Sequence, residues 1–246
     1  MKKVLFISNS YGEDATRYLY GVARAAGEKL KVMTLYIGGC SLARHYRNML
    51  SGDPAYACFV NGMSTGIYVS LKQALLSDEW DVVVMQQCSP QSGHPESYEP
   101  YLSELSAYVR KMVPKAQQYM QMTWTFAEGA PRFKLTRFET RAEMIPAVVE
   151  AYTEAAASIG ADALVPAMHA MCKLYDAIGD KAYRDGYHCS FGVARYMLAC
   201  LWFIALYRRD FKDNGYTDFD VAVTEDEVAL AERIAREVAR DAGFLV

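Results

Sequence analysis

Five short segments of the chain have the apolar pattern of β-strands, at residues 4–7, 31–37, 80–85, 118–126 and 163–166. The segments 4–7 and 80–85 are apolar almost throughout, which is typical of strands that a parallel sheet buries on both faces. Residues 118–126 alternate between apolar and polar positions, the two-residue period of a strand. Polar or glycine residues follow the first three segments, so the pattern predicts strands that end in loops.

Between these segments, apolar residues recur every three or four positions, the spacing of one face of a helix. The pattern predicts helices over residues 15–30, 42–50, 64–76, 98–113, 142–159, 190–207 and 224–242. Strands that alternate with helices predict an α/β fold. We expect a three-layer α/β/α sandwich with a parallel sheet of about five strands, formed by a single domain over residues 1–246.

Composition and charge narrow the possible partners. The chain has 246 residues, of which 52% are hydrophobic and 22% charged, and its net charge is -3. Because binding to a phosphate backbone needs clustered Lys and Arg, we expect no nucleic-acid partner. The apolar run at residues 4–7 is too short for a signal peptide, and the run at 196–207 is too short to span a membrane. We therefore expect a cytoplasmic protein without a membrane partner.

The six cysteines form no Cys-x-x-Cys pair, so the sequence indicates neither a structural zinc site nor a thioredoxin-like motif. His169 and Cys172 lie three residues apart, but a single pair does not make a metal site, and we expect them in a helix or the core. No metal and no organic cofactor is predicted.

Four polar segments stand where catalytic groups would be expected. Residues 8–12, 38–41 and 86–89 each follow a predicted strand, and residues 185–188 precede a predicted helix. Open α/β sheets bind ligands beyond the carboxyl ends of their strands, so these segments should lie at one edge. Together they supply a serine hydroxyl, backbone N–H groups, amides, a carboxylate and an imidazole, the groups that acyl transfer requires.

These four blocks resemble the SGNH (GDSL-like) hydrolase superfamily, and most closely a bacterial subgroup with a Gly-Asn-Ser-like first block. The blocks read Ser-Asn-Ser-Tyr-Gly-Glu-Asp-Ala at 8–15, Tyr-Ile-Gly-Gly-Cys-Ser-Leu at 36–42, Gln-Gln-Cys-Ser at 86–89 and Asp-Gly-Tyr-His at 185–188. They occur in the order of that family, over residues 4 to about 205. The resemblance implies the flavodoxin-like SGNH fold, with Ser10 as nucleophile, His188 as base and Asp185 as the carboxylate that orients it.

The resemblance also implies an oxyanion hole. The N–H group of Ser10 would be one donor, and that of Gly38 or Gly39 a second. The family's third block, Gly-x-Asn-Asp, is absent here, and Gln86 and Gln87 stand at that strand end. A glutamine amide can donate the same hydrogen bond from a longer arm, so we expect Gln86 or Gln87 to be the third donor.

The expected function is that of a serine esterase, and the resemblance suggests O-acetyl groups on a carbohydrate as the substrate. Trp124 lies near the end of the predicted strand 118–126 and either belongs to the core or lines the substrate pocket, and Tyr11 is a second candidate contact. The sequence does not distinguish hydrolysis from transfer to another acceptor, and it leaves the acyl group, the alcohol and the oligomeric state open.

Two functions of other classes stay open at this stage. Ser8 and Asn9 replace the family's usual Gly-Asp before the serine. This altered first block and the altered third block would suit a protein that kept the fold as a carbohydrate-binding module and lost catalysis. Residues 8–12 could also form a phosphate loop of a flavodoxin-like nucleotide-binding protein. The chain lacks a Walker lysine and a Gly-x-Gly-x-x-Gly run, which disfavours the second of these. Ser10 could serve merely as a helix cap, the segment 185–188 could be a surface turn, and Cys40, Cys88 or Cys189 could be an alternative nucleophile.

Overall fold

Seven strands join into one sheet in the computed structural model, which describes residues 1–211 and 215–245. The strands are β1 (Lys2–Ser8), β2 (Leu30–Tyr36), β3 (Tyr56–Val60), β4 (Met63–Val69), β5 (Val82–Met85), β6 (Gln117–Gln121) and β7 (Ala163–Val165). The helices are α1 (Ser10–Thr16), α2 (Leu19–Ala25), α3 (Leu42–Ser51), α4 (Leu71–Leu76), α5 (Tyr101–Met112), α6 (Arg141–Ser158), α7 (Ala167–Ile178), α8 (Val193–Tyr207) and α9 (Glu225–Asp241).

The sheet has the strand order β4-β3-β2-β1-β5-β6-β7. Five neighbouring strands run parallel to one another: β2, β1, β5, β6 and β7. Strand β3 is antiparallel to β2, and β4 is antiparallel to β3. The predicted α/β fold with five parallel strands is therefore confirmed, and the sheet is mixed rather than purely parallel. Chain order reverses between β1 and β5, which is the point where open α/β sheets bind their ligands.

The antiparallel pair corrects one predicted element. Residues 64–76 were expected to form a helix, but only the segment Leu71–Leu76 is helical, and the preceding residues form β4. Asn61 and Gly62 join β3 to β4 with positive φ angles of 52° and 80°. Such an Asn-Gly pair is the strongest short-range signal of a two-residue hairpin turn, because this turn needs φ > 0 at both positions. The helical spacing of the apolar residues concealed this signal.

The segment after β1 also differs from the prediction. Instead of one helix over 15–30, the structure has α1 and α2, separated by Arg17 and Tyr18. The hydroxyl of Thr16 donates to the Gly12 carbonyl oxygen at 2.8 Å and also contacts the Thr34 hydroxyl at 2.9 Å. A threonine that bonds back to the preceding turn bends or weakens a helix, and this gives a local reason for the break. Helix α7 was not predicted as an element.

The core lies on both sides of the central strands. All four residues of β5 are buried, so helices cover both faces of the sheet there. Helix α8 is buried along almost its whole length between the sheet and α9, and its Trp202 packs edge-to-face on Phe6 of β1 at a centroid distance of 4.7 Å. Within the described residues, none of the helices combines the length and the apolar character needed to cross a bilayer.

The central strand should be sensitive to the loss of side-chain volume. Leu5 is fully buried in β1, so Leu5→Ala removes contacts on a face that cannot collapse freely. We expect it to lower the free energy of unfolding by about 2–5 kcal/mol, measured by chemical denaturation. The matched control is Leu50→Ala, because Leu50 is 65% exposed and should change stability by about 0.5 kcal/mol or less. Equal effects of the two variants would contradict this assignment of the core.

Candidate active site

Ser10 is the first residue of α1 and follows the end of β1 by two positions. Asn9 caps the helix, since its side-chain oxygen accepts the Tyr11 N–H at 3.1 Å. The cap fixes where the helix begins, and Ser10 therefore stands at the carboxyl edge of the sheet with a partly exposed side chain. The N–H group of a residue in the first turn has no acceptor within its own helix.

The loop between α7 and α8 brings Asp185 and His188 to Ser10. His188 Nε2 lies 2.8 Å from Ser10 Oγ, and His188 Nδ1 lies 2.6 Å from Asp185 Oδ2. The other carboxylate oxygen accepts the backbone N–H of His188 at 2.8 Å, and this turn passes through Gly186 with a φ of 83°. The three predicted residues thus form a continuous hydrogen-bonded chain, although 175 positions or more separate the serine from the other two.

The Asp185 carboxylate determines which ring nitrogen of His188 carries the proton. Burial acts to raise the pKa of Asp185, but hydrogen bonds from His188 outweigh it and leave the pKa below its ordinary value. The ionised carboxylate accepts a proton-bearing Nδ1, so the neutral ring presents Nε2 as an acceptor for the serine hydroxyl. This is the tautomer in which a histidine can take the proton of a serine.

A buried ion pair holds the two parts of this chain together. Asp14, on α1, is fully buried and accepts hydrogen bonds from Arg184 Nη1 at 2.9 and 3.0 Å and from Arg195 Nε at 2.8 Å. The same Arg184 nitrogen donates to the Cys189 carbonyl oxygen at 2.6 Å. Because Arg184 immediately precedes Asp185, the pair fixes the loop of the carboxylate and imidazole against the helix of the serine. No local sequence pattern indicates this contact between Asp14 and Arg184.

A second connection runs through buried amides. Gln86 Nε2 donates to Asn9 Oδ1 at 2.7 Å, and Gln121 Nε2 donates to Gln86 Oε1 at 2.6 Å. Trp202 Nε1 then donates to Gln121 Oε1 at 2.6 Å. Asn9 Nδ2 also donates to the Cys40 carbonyl oxygen at 3.0 Å, which links the first block to the turn after β2. Gln121 was missed at the sequence level because nothing in its local pattern marks it.

These contacts correct the expected role of the two glutamines. The side-chain oxygen of Gln87 accepts the N–H of Leu42 at 3.0 Å, and its Nε2 donates to the carbonyl and the hydroxyl of Ser97, both at 3.0 Å. Gln86 and Gln87 are fully buried. Their amides therefore hold loops together and present no surface to a ligand, so the structure does not support either side chain as an oxyanion donor.

Gly38 and Gly39 occupy the exposed centre of a turn after β2. The turn is closed by a hydrogen bond of 3.1 Å from the Cys40 N–H to the Ile37 carbonyl oxygen. Gly39 has a φ of 60°, a left-handed conformation that glycine adopts without a steric penalty. Asn9 binds the carbonyl of Cys40, so the turn is attached directly to the residue before Ser10. Both glycines stay candidate oxyanion donors.

Trp124 and Tyr11 do not line a pocket. Both are buried, and their rings stack at a centroid distance of 4.1 Å and an angle of 7°. Trp124 Nε1 donates to the Tyr187 carbonyl oxygen at 2.9 Å, which supports the loop next to His188. The expected contact with substrate is therefore replaced by a structural role beneath the site.

The cysteines near the site are unsuited to act as nucleophiles. Cys40, Cys88 and Cys189 are all buried. Burial raises the pKa of Cys40 to about 12 and that of Cys88 to about 11, and it raises the pKa of Cys189 well above its ordinary value. The reactive form of cysteine is the thiolate, so these thiols stay protonated and unreactive near neutral pH.

His45 lies beneath the Gly38–Gly39 turn rather than in contact with solvent. Its Nδ1 is 2.9 Å from the Tyr56 hydroxyl and 3.5 Å from Cys40 Sγ, and the side chain is fully buried. Burial lowers the pKa of His45 to about 3.

The buried His45 should make stability depend on pH. Below about pH 6.5 the unfolded chain binds a proton at this position while the folded chain does not, so the free energy of unfolding falls as the pH falls. Between pH 6.5 and 3, His45 should contribute a slope of about 1.4 kcal/mol per pH unit. Denaturation of His45→Gln across this range should show a shallower dependence than the wild type, whereas equal slopes would contradict a neutral buried imidazole.

Removal of the Asp14 charge should lower the free energy of unfolding. Asp14→Asn keeps the shape of the side chain but leaves Arg184 and Arg195 without their buried counter-charge. We expect the free energy of unfolding to fall by about 3–5 kcal/mol, measured by chemical denaturation. Asp53→Asn is the matched control, because Asp53 is exposed and the same change there should cost about 0.5 kcal/mol or less. A small effect in both variants would show that the ion pair does not hold this loop.

The fold of this chain is similar to that of several solved structures. A DUF4886 family protein from Bacteroides uniformis ATCC 8492 is 32% identical over 99% of this chain and 96% of its own, with a TM-score of 0.90. A candidate SGNH hydrolase from Slackia heliotrinireducens is 24% identical over 80% of this chain and 94% of its own, with a TM-score of 0.57. A candidate GDSL-like lipase from Parabacteroides merdae ATCC 43184 is 12% identical over 99% and 96%, with a TM-score of 0.51.

The same family is found from the sequence. The model of the family described as Domain of unknown function (DUF4886) matches residues 3–241. No curated protein matches the chain at a significant level. The predicted SGNH-like fold is confirmed by these structural neighbours. The chain belongs to the DUF4886 family and has the α/β fold of the SGNH hydrolases.

Proposed function

We propose that this protein is a serine esterase, in which Ser10 attacks a carboxylic ester with His188 as base and Asp185 as its partner. The observation that carries the proposal is the hydrogen-bonded chain from Ser10 Oγ through both imidazole nitrogens to the carboxylate, with distances of 2.8 and 2.6 Å. The fold shared with SGNH and GDSL-like proteins supports a hydrolase of this general kind.

The proposed reaction has two steps. His188 Nε2 takes the proton of Ser10 as Oγ attacks the ester carbonyl, and the resulting imidazolium then gives that proton to the leaving alcohol. An acyl-enzyme is left on Ser10. Water, deprotonated by His188, attacks this ester and releases the acid and the free serine. Asp185 stays ionised throughout and stabilises the imidazolium.

The backbone would stabilise the oxyanion. The candidate donors are the N–H group of Ser10, in the first turn of α1, and that of Gly38 or Gly39 in the exposed turn after β2. Backbone donors held rigidly where negative charge develops need no reorganisation during the reaction. Asn9 supplies this rigidity, because it caps the helix of Ser10 and also binds the carbonyl of Cys40.

The substrate proposed from the family resemblance is an O-acetyl group on a carbohydrate. The partial exposure of Ser10 and His188 is compatible with an ester borne by a larger molecule that stays outside the protein. The alternative of a catalytically inactive carbohydrate-binding protein is motivated by the glutamines that replace the third block. The intact geometry of Ser10, His188 and Asp185 weighs against it, because a binding module has no need of that hydrogen-bonded chain.

The nucleotide-binding alternative has less support. A phosphate loop needs backbone N–H groups directed at the ligand. The segment after β1 is instead tied into the core by Asn9, and Ser8 is fully buried with its hydroxyl 3.3 Å from the Leu35 carbonyl oxygen.

Hydrolysis of p-nitrophenyl acetate tests the esterase directly. Ser10→Ala and His188→Ala should each lower kcat by several orders of magnitude, about as far as loss of a single triad member does in serine hydrolases. Ser103→Ala is the matched control, since Ser103 lies exposed on α5 and should retain wild-type turnover. A fluorophosphonate probe should label the wild type and Ser103→Ala but leave Ser10→Ala unlabelled. Equal turnover in all variants, with no label at Ser10, would overturn the proposal.

A further inference from the structure

An arginine outside the hydrogen-bonded triad is held close to it. Arg132 lies in a short 3₁₀ turn, Pro131–Leu135, and its guanidinium carbon is 3.8 Å from the centre of the Tyr187 ring. Tyr187 immediately precedes His188, and the centres of their two rings are 4.0 Å apart. Tyr187 thus connects the guanidinium of Arg132 to the imidazole of His188 by direct packing.

Arg132 lacks the partners that other arginines of this region have. Arg184 binds Asp14, Arg137 pairs with Glu96, and Arg141 donates to the Phe126 carbonyl oxygen. Over residues 1–211 and 215–245, no carboxylate forms an ion pair with Arg132, and its Nε is buried without a hydrogen-bond partner. Arg132 as a residue is partly exposed, so the part of its guanidinium that is not buried would be the part that pairs with an anion from solvent.

The turn of Arg132 lies near the switch point of the sheet. Burial raises the pKa of Tyr11, and the charge of Arg132 is among the groups that oppose this rise. The 3₁₀ turn of Arg132 also packs on a second turn, Ser89–Gln91, which follows the strand end at the switch point of the sheet. The turn that carries Arg132 therefore lies against the turn that follows β5.

The position relative to His188 decides which part of a substrate Arg132 would meet. In the proposed reaction, the imidazole gives its proton to the leaving alcohol, so the alcohol must lie beside His188 Nε2. Arg132 packs on Tyr187, the neighbour of that imidazole. A planar guanidinium forms paired hydrogen bonds that match a carboxylate, and stacking on an aromatic face reduces the freedom that it would lose on binding.

We propose that Arg132 binds a carboxylate on the alcohol part of the ester, so that the preferred substrates are O-acylated hydroxy acids, including acylated sugar acids. This inference rests on the proposed esterase function and adds a substrate class to it. The stacked, unpaired guanidinium beside Tyr187 carries it.

The test compares esters that differ only in this charge. The aromatic pair is 4-acetoxybenzoate and its neutral amide, 4-acetoxybenzamide. The sugar pair is the methyl glycoside of O-acetylglucuronic acid and its uronamide. The wild type should have a kcat/KM about ten- to a hundred-fold higher for the charged member of a pair, the range expected for hydrogen bonds to a charged group. A preference in only one pair would assign the carboxylate to an aromatic or to a sugar acid.

Arg132→Gln should abolish this preference, and Arg132→Lys should keep part of it because the charge stays while the paired geometry is lost. Lys134→Gln is the matched control, since it removes one positive charge from an exposed position of the same turn and should retain the wild-type ratio. Succinate mono-4-nitrophenyl ester, with its carboxylate on the acyl side, should show no dependence on Arg132. Circular dichroism of each variant checks that the fold is retained.

Several outcomes separate this inference from the esterase proposal. Two results would overturn the role of Arg132 and leave the esterase proposal intact. One is hydrolysis that depends on Ser10 but shows no charge preference. The other is a charge preference that Lys134→Gln abolishes as fully as Arg132→Gln does. A dependence on Arg132 for the succinate ester would overturn the assignment to the alcohol side. If no ester is hydrolysed through Ser10, the esterase proposal fails. Binding of 4-acetoxybenzoate to Ser10→Ala, measured by ligand-observed NMR, still tests whether Arg132 binds a carboxylate. That binding should be weakened by Arg132→Gln, and an unchanged signal would contradict the inference.

Discussion

The ion pair between Asp14 and Arg184 is the constraint on which the candidate site depends. Ser10 belongs to a short helix near the start of the chain, whereas Asp185 and His188 lie on a loop that leads into α8. A serine and a histidine must approach to hydrogen-bonding distance, and a loop without an anchor would not hold that distance. Asp14 fixes the loop because a fully buried carboxylate must keep its cationic partners.

An ion pair that joins two segments inside the protein loses the hydration of its charges. The loss of hydration is repaid only when the geometry is good and the remaining lone pairs are satisfied. Both oxygens of Asp14 accept from Arg184, and Arg195 supplies a second cation from the buried helix α8. Arg195 also contacts Glu13, whose pKa is raised by burial although the charge of Arg195 opposes that shift. Helix α1, which carries Ser10, is thus joined by ion pairs to the buried helix α8 as well as to the loop of Asp185 and His188.

Hydrogen-bonded amides stiffen the other side of the site. Asn9, Gln86 and Gln121 form a chain that crosses the ends of β1, β5 and β6 and finishes on Trp202. A fully satisfied polar network in a dry interior specifies one arrangement of loops, because every alternative leaves a donor or acceptor unpaired. Through Asn9, which also binds the carbonyl of Cys40, this network supports both Ser10 and the glycine turn.

Much of the fold was determined by the sequence itself. Apolar segments such as 82–85 are typical of buried parallel strands. The four polar blocks follow from the rule that strand ends carry the site. Ser10, Asp185 and His188 were therefore predictable by residue type and block order. The hairpin of β3 and β4 was also encoded, by Asn61-Gly62, but the helical spacing after it gave the stronger signal.

Only the tertiary structure decided which polar side chains are exposed and which are buried. Gln86, Gln87, Tyr11 and Trp124 have the chemistry of a binding site, but their partners come from distant segments and leave them no surface. Arg132 shows the converse, since a chain position with no motif is brought against the Tyr187 ring, and it has no ion pair within the part of the chain that the structure describes. Local pattern determines strands, helices and turns, because these depend on neighbours along the chain. Burial and charge pairing depend on neighbours in space, which only the folded chain brings together.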